Sequence, residues 1–280
     1  MAWKTTLALV CTVLVVIIMC SALGTYLHFK RVCYTRHNHT MTALDDYMPN
    51  VFHNREQQVQ LLHMLRRSTK ALSKYNITHW MIAGNLLGFE RHGGLIPWDD
   101  DIDIAVPVAE LGDLFEKKKD LERNFRLTVT NEERHGIYKI YSLHHDGTID
   151  RSTFIDVFTF SKNDNGVYCP EDPQFPTQCL KETDIFPLRV VDMQGVNVFV
   201  PRDSTDHLNR TYGKKWNDEL FVRPPHSNSV GPFSCAGIGY LIRHLNKSTV
   251  VYPNNHEISS AVRSVVLGVA EDFKKSQDSK

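Results

Sequence analysis

The chain has 280 residues, of which 42% are hydrophobic, and this length and apolar content suit one large domain or two small ones. Its 32 Lys and Arg residues equal its 32 Asp and Glu residues, so the formal net charge is zero. This balance argues against a nucleic-acid-binding scaffold, because such proteins carry a surplus of basic residues. The sequence also shows no internal repeat and no long low-complexity tract.

The chain starts with an uncharged run, Leu7–Leu27, whose 21 residues are long enough to cross a membrane as a helix. Three interpretations are open. The run can be a membrane anchor, a signal peptide cleaved near the small residues Ala22 and Gly24, or a buried helix of the core. We favour the anchor, with residues 1–30 forming a short tail and a single-pass signal anchor.

Sequons and cysteines favour a lumenal location for the rest of the chain. The N-x-S/T sequons lie at Asn38, Asn76, Asn209 and Asn246. The cysteines beyond the apolar run are Cys33, Cys169, Cys179 and Cys235. Their number is even and no C-x-x-C pair indicates a zinc site. The sequence therefore predicts a Golgi or endoplasmic reticulum membrane protein with a lumenal C-terminal domain, or a secreted protein if the run is cleaved.

Residues 31–53 are polar and aperiodic, so we predict a stem or linker there and a lumenal domain over residues 54–280. Within that domain the apolar spacing predicts, in chain order, a helix at 54–75, a strand at 79–83, a short helical turn at 86–89, a strand at 101–106, a helix at 108–122, strands at 126–130, 136–143 and 152–160, a turn at 163–166, a hairpin at 190–200 and a helix at 258–273. Helices interleaved with strands predict an α/β or α+β domain.

Two cysteines bracket a proline-rich loop in the second half of the domain. The loop reads CPEDPQFPTQC and runs from Cys169 to Cys179. A disulfide between the two cysteines would constrain this loop. Two free thiols are the alternative.

The stretch LIPWDDDIDIAV places aspartates directly before and within a predicted core strand. Because alternate side chains of a strand share a face, Asp101 and Asp103 lie on one face with Cβ atoms about 7 Å apart, and Ile102 and Ile104 lie on the other. Asp156 is the one polar residue of the apolar segment FIDVF. A buried carboxylate needs a compensating partner. Such carboxylates can together bind one hard cation such as Mg²⁺.

The acidic residues have other possible roles besides metal binding. Pairing with Arg or Lys is the alternative for Asp101 and Asp103, and Asp99 and Asp100 can simply cap a turn. An EF-hand loop is disfavoured, because Ile104 stands where that loop requires glycine. The 14 histidines show no spacing typical of zinc ligands.

A magnesium ion held by these carboxylates would keep coordination positions open for a diphosphate. It would neutralise charge during phosphoryl transfer and orient the attacking hydroxyl. Gly84 ends a predicted strand, where the missing side chain lets backbone N–H groups approach a phosphate closely.

The run AGNLLGFERHGGLIPWDDDIDIAV resembles the signature of the LicD family, which includes fukutin and fukutin-related protein. The resemblance continues in FIDVFTF, DIFPLRVVDMQGVNVFVP and LNRTYGKKW, so it covers roughly residues 54–217. Asn85 departs from the family pattern, which has Thr or Ser after the glycine. An asparagine can still donate a hydrogen bond to a phosphate.

The resemblance implies a nucleotidyltransferase-like fold, in which a mixed sheet with flanking helices carries a carboxylate triad at one edge. It also implies Mg²⁺ or Mn²⁺ and the transfer of a phosphorylated small alcohol, of the phosphocholine or ribitol-phosphate type, from a CDP-activated donor to a glycan of a glycoprotein or glycolipid. The catalytic and metal-binding carboxylates implied by position are Asp101, Asp103 and Asp156. The implied donor and phosphate ligands are Gly84, Asn85 and Arg91.

Lys139 is a further candidate for the donor diphosphate, because it is the odd charge in the apolar strand GIYKIYSL. A surface lysine that extends its charge to solvent is the alternative.

A non-catalytic glycan-binding or complex-forming protein of the same fold is the alternative to an enzyme. We favour the enzyme, because all three carboxylates are present. We also expect the protein to contact a membrane through residues 7–27 and not to bind nucleic acid. Whether it forms a homo-oligomer is left open.

Overall fold

The structure is a computed structural model, and it describes residues 55–134, 136–175, 178–222, 250–253 and 256–278. The predicted anchor at 7–27, the stem at 31–53 and the sequons at Asn38 and Asn246 lie outside the described residues. Within the ranges that are described, no helix is both long enough and apolar enough to cross a membrane.

The described residues form helices and strands that alternate along the chain. The helices are α1 (Arg55–Lys74), α2 (Ala83–His92), α3 (Leu111–Glu116), α4 (Lys118–Phe125), α5 (Glu182–Ile185), α6 (Thr205–Tyr212) and α7 (His256–Asp278), with a 3-10 turn at Val108–Glu110. The strands are β1 (Trp80–Met81), β2 (Ile102–Pro107), β3 (Leu127–Arg134), β4 (Ile137–Leu143), β5 (Ile149–Lys162), β6 (Val167–Pro170), β7 (Leu180–Lys181), β8 (Arg189–Met193), β9 (Val196–Val200), β10 (Glu219–Val222) and β11 (Val250–Pro253). The predicted α/β class is confirmed.

Two predicted elements differ from the structure. The short helical turn predicted at 86–89 is the ten-residue helix α2, which ends where Gly93 adopts φ 78° and donates its N–H to the Phe89 carbonyl. The helix predicted at 108–122 is broken into a 3-10 turn, α3 and α4, because the chain leaves helical geometry at Lys117, whose ψ is 0°. The short elements α5, α6, β6, β7, β10 and β11 were not predicted from the spacing.

The central sheet is mixed, with the strand order β1-β2-β5-β4-β3. β2 and β5 are parallel neighbours, and the other pairs along this order are antiparallel. β6 pairs with the end of β5 and β7 pairs with β6, while β8–β9 and β10–β11 form separate two-stranded sheets. The parallel pair at the centre fixes which residues of β2 and β5 lie side by side.

The two faces of the sheet carry different cores. The face that includes Ile102, Ile104, Ile155 and Val157 packs against α1 and forms the larger core. The opposite face carries a smaller aromatic core, whose members include Trp80, Ala105, Phe158 and Phe160. Because β-strand side chains alternate, the residues next to Ala105 and Phe158 on this second face are Asp103 and Asp156. The carboxylates of Asp103 and Asp156 therefore lie at the edge of the smaller core.

Cys169 and Cys179 form a disulfide with a Cα–Cα distance of 4.1 Å, and this bond closes the CPEDPQFPTQC loop between β6 and β7.

The two sequons within the described ranges differ in environment. Asn76 is exposed in the turn after α1 and has φ 56°. Asn209 is half-buried in α6, and its Oδ1 accepts a hydrogen bond from Trp216 Nε1 at 3.1 Å. Asn76 is thus the more accessible acceptor.

Candidate active site

Acidic side chains and one lysine meet in a row across the middle of the sheet. The parallel register places Asp103 of β2 beside Asp156 of β5, and the antiparallel register places Lys139 of β4 on the other side of Asp156. Asp101 directly precedes β2. Carboxylate oxygens of Asp101, Asp103 and Asp156 lie within 4.8 Å of one another. The structure thus brings the three predicted carboxylates together.

Lys139 lies inside this cluster. Its Nζ is 2.5 Å from Asp156 Oδ1 and 3.5 Å from the centroid of the Phe154 ring. The Lys139 and Asp156 side chains are only 16% and 15% exposed, so solvent screens their ion pair little. The alternative of an exposed surface lysine is therefore wrong. Contact between Lys139 and a donor diphosphate stays a prediction.

The charges of the cluster do not balance without a further cation. Burial raises the pKa of Asp103 well above its usual range, and the nearby charges of Asp101, Asp156 and Asp99 raise it further, while Lys139 opposes the shift. If all three carboxylates of the triad are ionised, Lys139 leaves the cluster with a net charge of minus two. Clustered carboxylate oxygens are the ligand set that Mg²⁺ and Mn²⁺ prefer. The residues present therefore fit one divalent cation.

Asp99 lies against the first turn of α2. A Cβ atom at Gly84 would clash with Asp99 Oδ2, so any larger residue there would require the Asp99 carboxylate to move. Carboxylate oxygens of Asp99, Asp100 and Asp101 also lie within 4.8 Å of one another. Gly84 therefore leaves room for the Asp99 carboxylate beside α2, and its predicted contact with a phosphate stays a prediction.

Asn85 and Arg91 both point into the protein from α2. Asn85 is fully buried and bonds to the backbone of Asp101 and Asp103. Arg91 is also buried, its Nη1 donates to the Trp216 carbonyl at 3.2 Å, and burial lowers its pKa to about 10. The predicted donor-binding roles of both side chains remain predictions.

Glutamines that the sequence analysis missed hold the acidic loop in place. Gln58 of α1 donates to the carbonyls of Ile96 and Asp99 at 3.2 and 2.8 Å. Gln194, in the β8–β9 turn, accepts from the Leu95 N–H at 2.8 Å. The sequence did contain a signal for the burial of Gln58, because this residue falls on the apolar stripe of the predicted helix, and it is buried in the structure.

Comparison with known proteins shows what the segment that carries this cluster is similar to. Residues 76–203 match the family model described as "LicD/FKTN/FKRP, nucleotidyltransferase domain". An uncharacterized protein of Rickettsia typhi is 28% identical over 196 residues, which cover 69% of this chain and 58% of that protein. The chain thus spans less than two thirds of the length of this relative.

Two characterised relatives match over shorter segments. The lipopolysaccharide cholinephosphotransferase LicD of Haemophilus influenzae is 44% identical over 50 residues, which cover 18% of this chain and 19% of that protein. Human ribitol 5-phosphate transferase FKRP is 29% identical over 75 residues, which cover 25% of this chain and 15% of that protein.

Among solved structures, the antibiotic-resistance factor ANT(2'')-Ia aligns with 80% of this chain and 99% of its own, at 15% identity and a TM-score of 0.34. A likeness of this size adds nothing to the assignment. The match over residues 76–203 confirms the resemblance seen in the sequence: this part of the chain is similar to the LicD/FKTN/FKRP nucleotidyltransferase domain.

Proposed function

We propose that the protein is a metal-dependent phosphotransferase that moves a phosphorylated small alcohol from a CDP-activated donor to a glycan. The observation that carries the proposal is the convergence of three carboxylates within 4.8 Å, inside a segment that matches the LicD-type domain. Two relatives are a cholinephosphotransferase and a ribitol 5-phosphate transferase, and their names support a phosphorylated small alcohol as the group that is moved.

Asp101, Asp103 and Asp156 would hold one Mg²⁺ or Mn²⁺ ion. When bound, this ion supplies a positive charge that neutralises the donor diphosphate and orients the attacking hydroxyl. In the reaction, the acceptor hydroxyl oxygen forms a bond to the phosphorus that carries the alcohol, the bond from that phosphorus to CMP breaks, and the hydroxyl proton is released. Lys139 compensates the charge of Asp156 through the 2.5 Å ion pair while no metal is bound.

The proposed setting is the lumen of the Golgi or endoplasmic reticulum, with a glycan acceptor on protein or lipid. This part rests on the apolar run at 7–27 and on the sequons. The non-catalytic alternative has no supporting observation, since the carboxylate triad is complete.

The test is CMP release by the full chain from a panel of CDP-alcohols, with Mn²⁺ or with a chelator. We expect release that disappears in chelator and in the Asp101→Asn, Asp103→Asn and Asp156→Asn proteins. Asp164→Asn is the matched control, because it makes the same change in an exposed turn, and it should keep full activity. Undiminished release in chelator, or by the Asp103→Asn protein, would reject the metal-dependent reaction.

A further inference from the structure

Asn85 pairs with the start of β2 as a neighbouring strand would. Its Oδ1 accepts the Asp103 N–H at 2.5 Å, and its Nδ2 donates to the Asp101 carbonyl at 3.2 Å. These two backbone groups flank Ile102 and point to the same edge of the strand. A residue of a parallel strand bonds to its neighbour in this pattern, through the carbonyl before and the N–H after the opposite residue.

Asn85 contacts β2 just beyond the point where the β1–β2 pairing ends. β1 pairs with Ala105 and Ile104 of β2, and the Ile82 N–H then bonds to the Asp103 carbonyl at 3.3 Å. Asn85 continues the pairing to the Asp103 N–H and the Asp101 carbonyl. The backbone from 101 to 103 is therefore held extended from two sides. Ile102 pairs with Ile155 of β5, and Asn85 of α2 bonds to the residues before and after Ile102, although Asp101 lies outside β2.

This backbone geometry decides where the two carboxylates point. Asp101 and Asp103 share a face only while Ile102 between them is extended. If residue 102 turned, Asp101 would leave the cluster in which the carboxylate oxygens now lie within 4.8 Å. Asn85 bonds to the backbone of both Asp101 and Asp103, and it therefore helps to fix the spacing of the proposed metal ligands.

The same contacts make Asn85 a poor ligand for a donor. The residue has no exposed surface, and both its amide oxygen and its amide nitrogen already bond to the backbone. A phosphate could reach it only after the α2–β2 contact opened. Gln58 and Gln194 hold the preceding loop in the same way, by bonds from a buried amide to backbone groups.

We infer that Asn85 is a positioning residue, which sets the Asp101–Asp103 spacing for cation binding and does not contact the donor. The inference rests on the proposed function, because it presupposes that the triad binds a divalent cation. Side chains that orient metal ligands from behind typically contribute 10- to 100-fold in metal affinity. An effect on cation binding must therefore appear before any donor is added.

The test measures the dissociation constant of Mn²⁺ for the full chain without donor, by electron paramagnetic resonance of free Mn²⁺. Asn85→Ala should weaken Mn²⁺ binding about 10- to 100-fold, and Asn85→Ser, whose hydroxyl replaces one of the two bonds, should lose less. At saturating Mn²⁺, the dissociation constant of CDP, used as a diphosphate probe, should stay within about twofold of wild type.

Asn163→Ala is the matched control. It also removes an asparagine that accepts backbone N–H groups, those of Asn165 and Val167, but in an exposed turn. It should leave Mn²⁺ binding unchanged. Unchanged Mn²⁺ affinity in Asn85→Ala, with weaker CDP binding, would overturn the inference and make Asn85 a donor ligand. If Asn85→Ala does not fold, Asn85→Ser decides by the same comparison. Absence of Mn²⁺ binding in wild type would instead refute the proposed function.

Discussion

Lys139 should compensate the carboxylates when no metal is bound, and the Lys139→Met substitution tests this. Methionine keeps an unbranched side chain but removes the ammonium, which lies 2.5 Å from Asp156 Oδ1 and over the Phe154 ring. Asp101, Asp103 and Asp156 would then converge without the ammonium of Lys139. We expect the variant to be less stable than wild type in chelator, because like charges repel and one buried carboxylate loses its partner.

The magnitude follows from the burial of the pair. Both side chains are about 15% exposed, so the surface value of an ion pair does not apply. Removing one partner of a buried pair costs about 3–5 kcal/mol. The raised pKa of Asp103 means that the cluster can take up a proton, which relieves part of the repulsion. We therefore expect a loss of unfolding free energy at the lower end of this range, about 3 kcal/mol. For a domain of this size that loss lowers the melting temperature by about 6–12 °C.

The assay is thermal and urea unfolding of the full chain, first in chelator and then at increasing Mn²⁺ concentration. Because the ammonium repels a cation bound at the same carboxylates, Lys139→Met should bind Mn²⁺ about tenfold more tightly, which corresponds to about 1.4 kcal/mol. Saturating Mn²⁺ should therefore restore more stability to the variant than it adds to wild type.

The matched control is Lys162→Met, which removes a lysine paired at 2.7 Å with Glu182 on the exposed surface. That variant should lose little stability and show no change in Mn²⁺ binding. If Lys139→Met were as stable in chelator as Lys162→Met, Lys139 would not be the counter-ion of the triad. Weaker Mn²⁺ binding in Lys139→Met would refute the competition between the ammonium and the metal.

Three further predictions concern regions outside the cluster. Burial lowers the pKa of His79 to about 4, so the unfolded chain binds a proton that the folded chain does not, and stability should fall as pH drops from about 6.5 to about 4. His79→Asn should remove part of this decline in urea unfolding measured against pH. Peptide mapping without reduction should recover Cys169 and Cys179 as a linked pair, and a bridge from either to another cysteine would contradict the structure. Expression in glycosylating cells should give a mobility shift that Asn76→Gln reduces, and an unchanged shift would place the glycan on other sequons.

The two-faced character of β2 could be predicted from the sequence alone. A strand period of two places Asp103 opposite in direction to Ile102 and Ile104, and the structure has this arrangement. Asp156 was also predictable as a partner, because a single carboxylate in an apolar strand needs compensation. These inferences succeed because they depend only on neighbours along the chain.

The partners across strands could not be predicted in the same way. The Lys139–Asp156 pair depends on the register of β4 against β5, and a period of two leaves that register open. Gln194 binds a loop residue 99 positions earlier in the chain, and nothing in its local sequence indicates that contact. Contacts between distant segments were therefore missed, even where the participating residue was conspicuous.

The strand order also bears on how the chain folds around its own negative charge. Lys139 and Asp156 are 17 residues apart, on adjacent antiparallel strands, whereas Asp103 reaches Asp156 only through the longer parallel crossover from β2 to β5. Closing the shorter loop costs less entropy, so the β4–β5 pair should form early. The growing nucleus would then already contain a neutralised Asp156 when Asp103 docks beside it. In this order of events, Asp103 never has to dock beside a bare Asp156.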